Sequence, residues 1–186
     1  MIETILLAIL VAKIKGYKIR QVFKSWTIYP LLLLEFITAI GQVMIFNGNY
    51  DFIKIVGPLK VVYLSAYLFL IFKYEIYGSA ICGSISMIFG GILNNIAIKA
   101  NRGFMPVFPS LSYSTGYFKE GVFDIVNDIH ILGNSHTQLL FLTDFIDLGY
   151  SILSIGDIFI RVFVFLIIYN SIKKSNIYLT KEEKAC

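Results

Sequence analysis

Charge is scarce in this chain. Only 15% of its 186 residues are Asp, Glu, Lys or Arg, where soluble domains carry about 25%. Cysteine, histidine and tryptophan are rarer still, with two, two and one copies. Cys82 sits early in an apolar run and Cys186 is the final residue. The two belong at different depths, which excludes a disulfide framework. A terminal Cys alone is not expected to make a prenylation box, which needs three residues after the Cys. No basic region precedes the first apolar run and no small-residue cleavage site follows it, so this run is expected to remain as an anchor. There is no phosphate loop, no nucleic-acid motif and no strong metal-ligand spacing.

What the chain has in excess is apolar side chains. It is 57% hydrophobic with a mean hydropathy of +0.75. The expected fold class is all-α: a polytopic membrane helical bundle with about five transmembrane spans and one long outer loop, a single domain over 1–186. The net charge of +4 would elsewhere suggest nucleic acid. Here the cations fall in short stretches between apolar runs, so they set topology instead.

Spans are expected near 2–14, 26–46, 56–72, 76–99 and 155–172. The first is short for a hydrocarbon core of about 30 Å, at 1.5 Å per helical residue. It spans only if the bilayer thins and Lys13 and Lys15 snorkel. Lys13, Lys15, Lys18, Arg20 and Lys24 form the densest basic cluster, which belongs on the cytoplasmic side. Lys173 and Lys174 close the last span. Both basic stops agree with an outward N-terminus and a cytoplasmic polar tail, 173–186. The intervening loop, 101–154, is too long for an idle connection. Its apolar piece, Leu139 to Leu148, is too short to cross and is expected to lie in the interface or re-enter.

The chain is organised around the fourth run. Ser79, Gly83, Ser86, Gly90, Asn94, Ala97 and Asn101 recur every three or four residues, which places them on one helical face. Small residues there let a neighbouring helix approach closely, and the amides need partners inside the membrane.

Several polar groups stand out against this background. Glu35 lies near the middle of the second run, with Gln42 on its face. A mid-membrane carboxylate reads as functional, or as a structural partner of Arg161, or as a protonated group facing the bundle interior. Asp157 and Arg161 are one turn apart on the last helix. They read as a buried pair lining a polar site, while Ser154 and Asp157 also fit a capping box. Asn94, Asn95 and Asn101 read as interhelical glue or as ligand contacts. Asp124, Asp128, His130 and His136 in the loop invite a metal reading, but a solvated loop accounts for them. Cys82 as a nucleophile needs a base, and both histidines lie in the loop, away from it.

Two resemblances follow from motifs. Asn101, Gly103, Met105, Pro106 and Val107, then Thr137, Leu139, Leu142 and Asp144, then Ser154, Gly156 and Asp157 resemble an uncharacterised family of bacterial multi-pass membrane proteins. That family carries no activity to transfer. Gly90, Gly91, Asn95 and Gly103 are similar to the first motif of lipoprotein signal peptidase, an intramembrane aspartyl protease. Asp157 falls at its second aspartate. Ile98 stands where its first catalytic aspartate should be, so one carboxylate of the pair that activates water is absent. Asp144 or Glu35 would have to replace it.

The expectation is a bacterial cell-membrane protein that binds a small solute or a partner, as a transport or sensory component. Its polar site near the outer leaflet draws on Glu35, Gln42, Asn94, Asn95, Asn101, Asp144, Asp157 and Arg161. Its partners are membrane lipids, a small-molecule or peptide ligand, or another membrane protein; no nucleic acid, metal or cofactor is expected. The alternatives are an intramembrane hydrolase using Asp157 with Asp144, and a structural subunit whose polar groups only set helix register.

Overall fold

A computed structural model describes residues 1–126 and 128–185, apart from the side chains of 54, 56–58, 124 and 179–185. The Asp124 side chain and Cys186 therefore lie outside the described residues. The chain is mostly helical. Helix α1 (Ile2–Ile14) is followed by the single turn α2 (Arg20–Phe23) and a 3-10 turn, Trp26–Ile28. Then come α3 (Tyr29–Phe46), α4 (Ile53–Tyr74) and α5 (Tyr77–Ala100). After a polar segment the chain closes with one long helix, Ile155–Ala185.

Among the described residues, three helical stretches have the length and composition to cross a membrane: Trp26–Phe46, Tyr77–Ala100 and Ile155–Tyr178. At 1.5 Å per residue, 24 residues reach about 36 Å, enough for a core of about 30 Å. Helix α5 shows why these stretches suit lipid. Ile81, Ile85, Ile88 and Ile92 form a stripe more than half exposed, while Gly83, Gly90 and Ala97 on the opposite side are buried. An exposed apolar stripe of that kind is compatible with contact to lipid.

Two expected boundaries shift. Helix α4 begins at Ile53, ahead of the expected start near 56. The last helix does not stop at Lys173-Lys174 but runs on to Ala185. Its extension, Lys181-Glu182-Glu183-Lys184-Ala185, is made of strong helix formers. A basic pair ends a hydrophobic run without ending a helix.

Chain contacts divide the protein into two compact units. The first unit takes 1–38, 58–86 and 161–186. Ala8, Ala12, Leu31, Tyr67, Leu70, Val164, Ile167 and Ile172 are completely buried in it. Gly83 admits the backbone of Phe163: an added Cβ would lie 3.0 Å from the Phe163 Cα. At the other end of this unit the Lys18 amide donates to Asn176 Oδ1 (2.7 Å), and Asn176 Nδ2 donates to the Lys18 carbonyl (3.2 Å). The rings of Tyr74 and Tyr178 stack there as well.

The second unit takes 39–57 and 87–160. The long loop, 101–154, holds short elements of regular structure. Strand β1 (Met105–Val107) pairs in parallel with β2 (His130–Leu132). Between them lie the short helices α6 (Leu111–Thr115) and α7 (Val122–Val126). Leu140–Leu142 makes a 3-10 turn, and a hairpin of β3 (Ile146–Asp147) and β4 (Ile152–Leu153) leads into the final helix, α8. The apolar piece expected to lie in the interface or re-enter is a turn and one strand of a hairpin. Ala97, Met105 and Leu142 form the buried core beneath.

Candidate functional site

The polar residues of the second unit are placed by the end of α5. Asn101 Nδ2 donates to the carbonyls of Ala97 and Gln138, and its Oδ1 accepts from the Gln138 amide, each at 2.9 Å. The chain then reverses through Arg102 and Gly103, both at positive φ. The reversal delivers β1 into the middle of a small sheet. On one side Met105 N donates to the Ile129 carbonyl (2.7 Å), and Gly133 N to that of Val107 (2.9 Å). On the other, Phe108 N donates to the Asp144 carbonyl (2.8 Å), and Asp144 N to that of Pro106 (3.1 Å). One three-residue strand therefore holds His130 and Asp144 on its two flanks.

The two side chains meet. His130 Nε2 lies 3.7 Å from Asp144 Oδ2, and His130 Nδ1 lies 2.8 Å from Asp128 Oδ2. Asp128 Oδ1 also accepts the His130 backbone N–H at 2.8 Å. Asp144 is buried, with 6% exposure, whereas Asp128 is exposed. An imidazole between two carboxylates can donate to both only as the cation; the neutral ring has a single N–H. Asp128 and His130 open onto a cleft of about 770 Å3, which Phe104, Tyr113, Phe118 and Phe123 also line.

A second network closes on itself at the start of α8. Asp157 N donates to Ser154 Oγ (3.0 Å) and Ser154 N donates to Asp157 Oδ2 (3.1 Å). This is the reciprocal capping box. Ser154 Oγ in turn donates to Asn94 Oδ1 (2.8 Å), and Asn94 Nδ2 donates to Asp157 Oδ1 (3.2 Å). Both oxygens of Asp157 accept within this ring, so its carboxylate is occupied by structure.

Asp147 makes a third arrangement. It accepts from the amides of Ser110 (2.7 Å), Ser112 (2.8 Å) and Gly149 (2.8 Å), and from the Ser112 hydroxyl. Burial alone would raise its pKa, but these donors outweigh it and hold the carboxyl below the usual carboxylate value. Burial, followed by the charge of Asp147 and by Tyr50, pushes the Tyr117 hydroxyl upward.

The first unit has its own polar groups. The Tyr63 hydroxyl donates to the buried Glu35 carboxylate, and the Tyr63 and Tyr67 hydroxyls are 2.7 Å apart. Arg161 forms an ion pair with Glu3 and lies 3.4 Å from Thr4 Oγ1. Glu3 lies in the first turn of α1.

Of the residues singled out from sequence, Asn94 and Asp157 share one network, and Asp144 joins Asp128 and His130. Asn101 ties α5 to Gln138, and Gln42 Nε2 donates to the Tyr150 carbonyl at 3.3 Å. Asn95 is exposed on α5. Glu35 takes Tyr63 and Arg161 takes Glu3. The histidines separate: His136 donates its backbone N–H to Asn134 Oδ1. Among the described residues, no three His, Cys, Asp or Glu side chains gather to hold a metal. Asp147, Tyr63 and Tyr67 escaped the sequence reading. Ser110 and Ser112 lie far from Asp147 along the chain, as Glu35 does from Tyr63, and none of them carries a motif.

These features define a helical protein that has, among its described residues, three helices of membrane-crossing length, with a folded polar segment between the second and the third. The chain belongs to DUF5317, a family of unknown function, the match covering residues 20–169. No curated protein and no solved structure matches it.

Proposed function

We propose that this is a multi-pass cell-membrane protein that binds a small solute in the cleft of its second unit. On this reading α1 and α4 complete five spans, the N-terminus and the polar segment face outward, and α8 ends in the cytoplasm. Support for the orientation comes from the first unit, where Lys18 meets Asn176 near Lys173 and Lys174. The two strong basic stretches thus share one end, as cytoplasmic stretches do.

One observation carries the binding reading: the cleft is backed by Asp128, His130 and, behind them, the buried Asp144. A concave, ring-lined space with a few convergent polar groups is the usual form of a small-molecule site. Asn101 and the Asn94–Ser154–Asp157 ring hold the ends of the segment that shapes it. Asp157 is spent on helix capping, so no observation supports a water-activating carboxylate pair. A solute-binding component of transport or sensing accounts for the site without requiring chemistry.

The test is a panel of small solutes added to the full-length protein in lipid nanodiscs, read as a shift in melting temperature. A compound that stabilises the parent but not Asp128→Asn or His130→Gln supports the cleft. Stabilisation that survives in both variants overturns it. Orientation is tested by an impermeant thiol reagent on whole cells, with Cys82 and Cys186 replaced by Ser. Lys119→Cys should label and Lys174→Cys should not.

A further inference from the structure

We infer that the ligand of this cleft is an organic monocation, an amine or quaternary ammonium group. The inference rests on the reading just given and names the ligand class. Three rings stand in a row along the wall: Tyr113 packs edge-on to Phe118 with centroids 4.9 Å apart, and Phe118 lies 5.3 Å from Phe123 at a tilt. Phe104 contributes a fourth ring. Aromatic faces attract a cation placed within about 6 Å of the centroid, most strongly when it is poorly hydrated.

Carboxylates set the sign of the charge. Glu120 and Asp128 line the same cleft, and no Lys or Arg is among the described residues that line it. The neighbouring Lys119 is turned to the Phe46 carbonyl, with its Nζ 3.2 Å away. With His130 neutral the wall holds two negative charges. With His130 protonated it still holds one, and Asp144 stands 3.7 Å behind the ring. An anion would be repelled in either state. A bare divalent metal needs several oxygen or nitrogen ligands at short range, and the described residues bring no such group together. A cleft of about 770 Å3 accommodates a small organic ligand, for which about 300–1,000 Å3 is usual.

The probes are choline and its uncharged isostere 3,3-dimethylbutan-1-ol, titrated calorimetrically into the full-length protein in nanodiscs. Choline should bind at least about tenfold more tightly than the isostere. Glu120→Gln, a change at an exposed side chain, should weaken choline by roughly fivefold, the scale of one partly exposed charge contact. Tyr113→Leu should do the same through the ring. Equal binding of the two probes, or choline binding unmoved by Glu120→Gln, overturns the cation and leaves the cleft as a site for neutral solutes. No choline binding up to about 10 mM also overturns the cation. Failure of every solute in the earlier panel would instead remove the cleft itself.

Discussion

Gly90 and Gly156 meet backbone to backbone, with no space for a side chain on either. A Cβ on Gly90 would strike the Gly156 carbonyl and lie 2.9 Å from the Phe159 Cβ; a Cβ on Gly156 would strike Asn94 and the Gly90 carbonyl. On each side a carbonyl of the facing glycine is among the obstructing atoms, and backbone cannot rotate away. Gly90→Ala and Gly156→Ala should each destabilise the protein by about 1–3 kcal/mol, the usual cost of overpacking. Gly91 is the control, because nothing lies within 4 Å of its missing Cβ. Gly91→Ala should be neutral, or stabilise by up to about 1 kcal/mol through helix propensity. Denaturant midpoints of the three variants in detergent decide it. Equal midpoints would mean that the close approach does not exist.

That contact was half visible in the sequence. The spacing of Gly83, Gly90, Asn94, Ala97 and Asn101 marked one face of α5, and those residues face Phe163, Gly156, Ser154, Met105 and Gln138 in turn. Small residues announce a close neighbour because their position follows helical period alone. Which neighbour they meet depends on tertiary structure, and only the Ser154–Asp157 spacing hinted at the start of α8. The polar segment was less legible. Its strands are two or three residues long, too short to show an alternating pattern. The sequence offers Glu35 as a partner for Arg161, whereas Arg161 pairs with Glu3.

The Glu3–Arg161 pair joins α1 to α8, with 29% and 14% side-chain exposure. Removing one partner leaves the other charge poorly solvated. Arg161→Met should therefore cost about 3 kcal/mol. The double variant Glu3→Gln with Arg161→Met should recover much of that loss, since no lone charge remains. Thermal unfolding of the four proteins in a double-mutant cycle measures the coupling. A purely additive double variant would show that the pair contributes nothing.

Tyr63 offers a parallel test on neutral ground. Its hydroxyl donates to the Glu35 carboxylate and contacts that of Tyr67, and all three side chains are buried. Tyr63→Phe keeps the ring and deletes the donor. A buried acceptor left short of a partner costs about 1–3 kcal/mol. Tyr29 also donates a hydrogen bond, to the Phe23 carbonyl at 3.1 Å, but it is exposed. Tyr29→Phe should be nearly silent because water replaces the lost partner. The two midpoints, compared directly, separate a buried network from an exposed one.

Acid should loosen the polar segment through Asp147 before it unfolds the helices. Four donors hold the ionised carboxylate, and its pKa in the folded protein lies below the ordinary value of about 3.9. A depressed pKa means that the folded state favours the charged form more than the unfolded state does. The resulting stabilisation is fully present above about pH 4 to 5 and is lost as pH falls through the folded pKa. The amides of Ser110, Ser112 and Gly149 point at this carboxylate, so they should lose protection as it protonates. Hydrogen exchange followed from pH 6 down to about pH 2.5, corrected for intrinsic rates, should show this loss in the parent. In Asp147→Asn, which cannot ionise, protection of the three amides should be low throughout and independent of pH. A parent protein whose three amides stay equally protected across that range would show that Asp147 does not tie β3 to the start of α6.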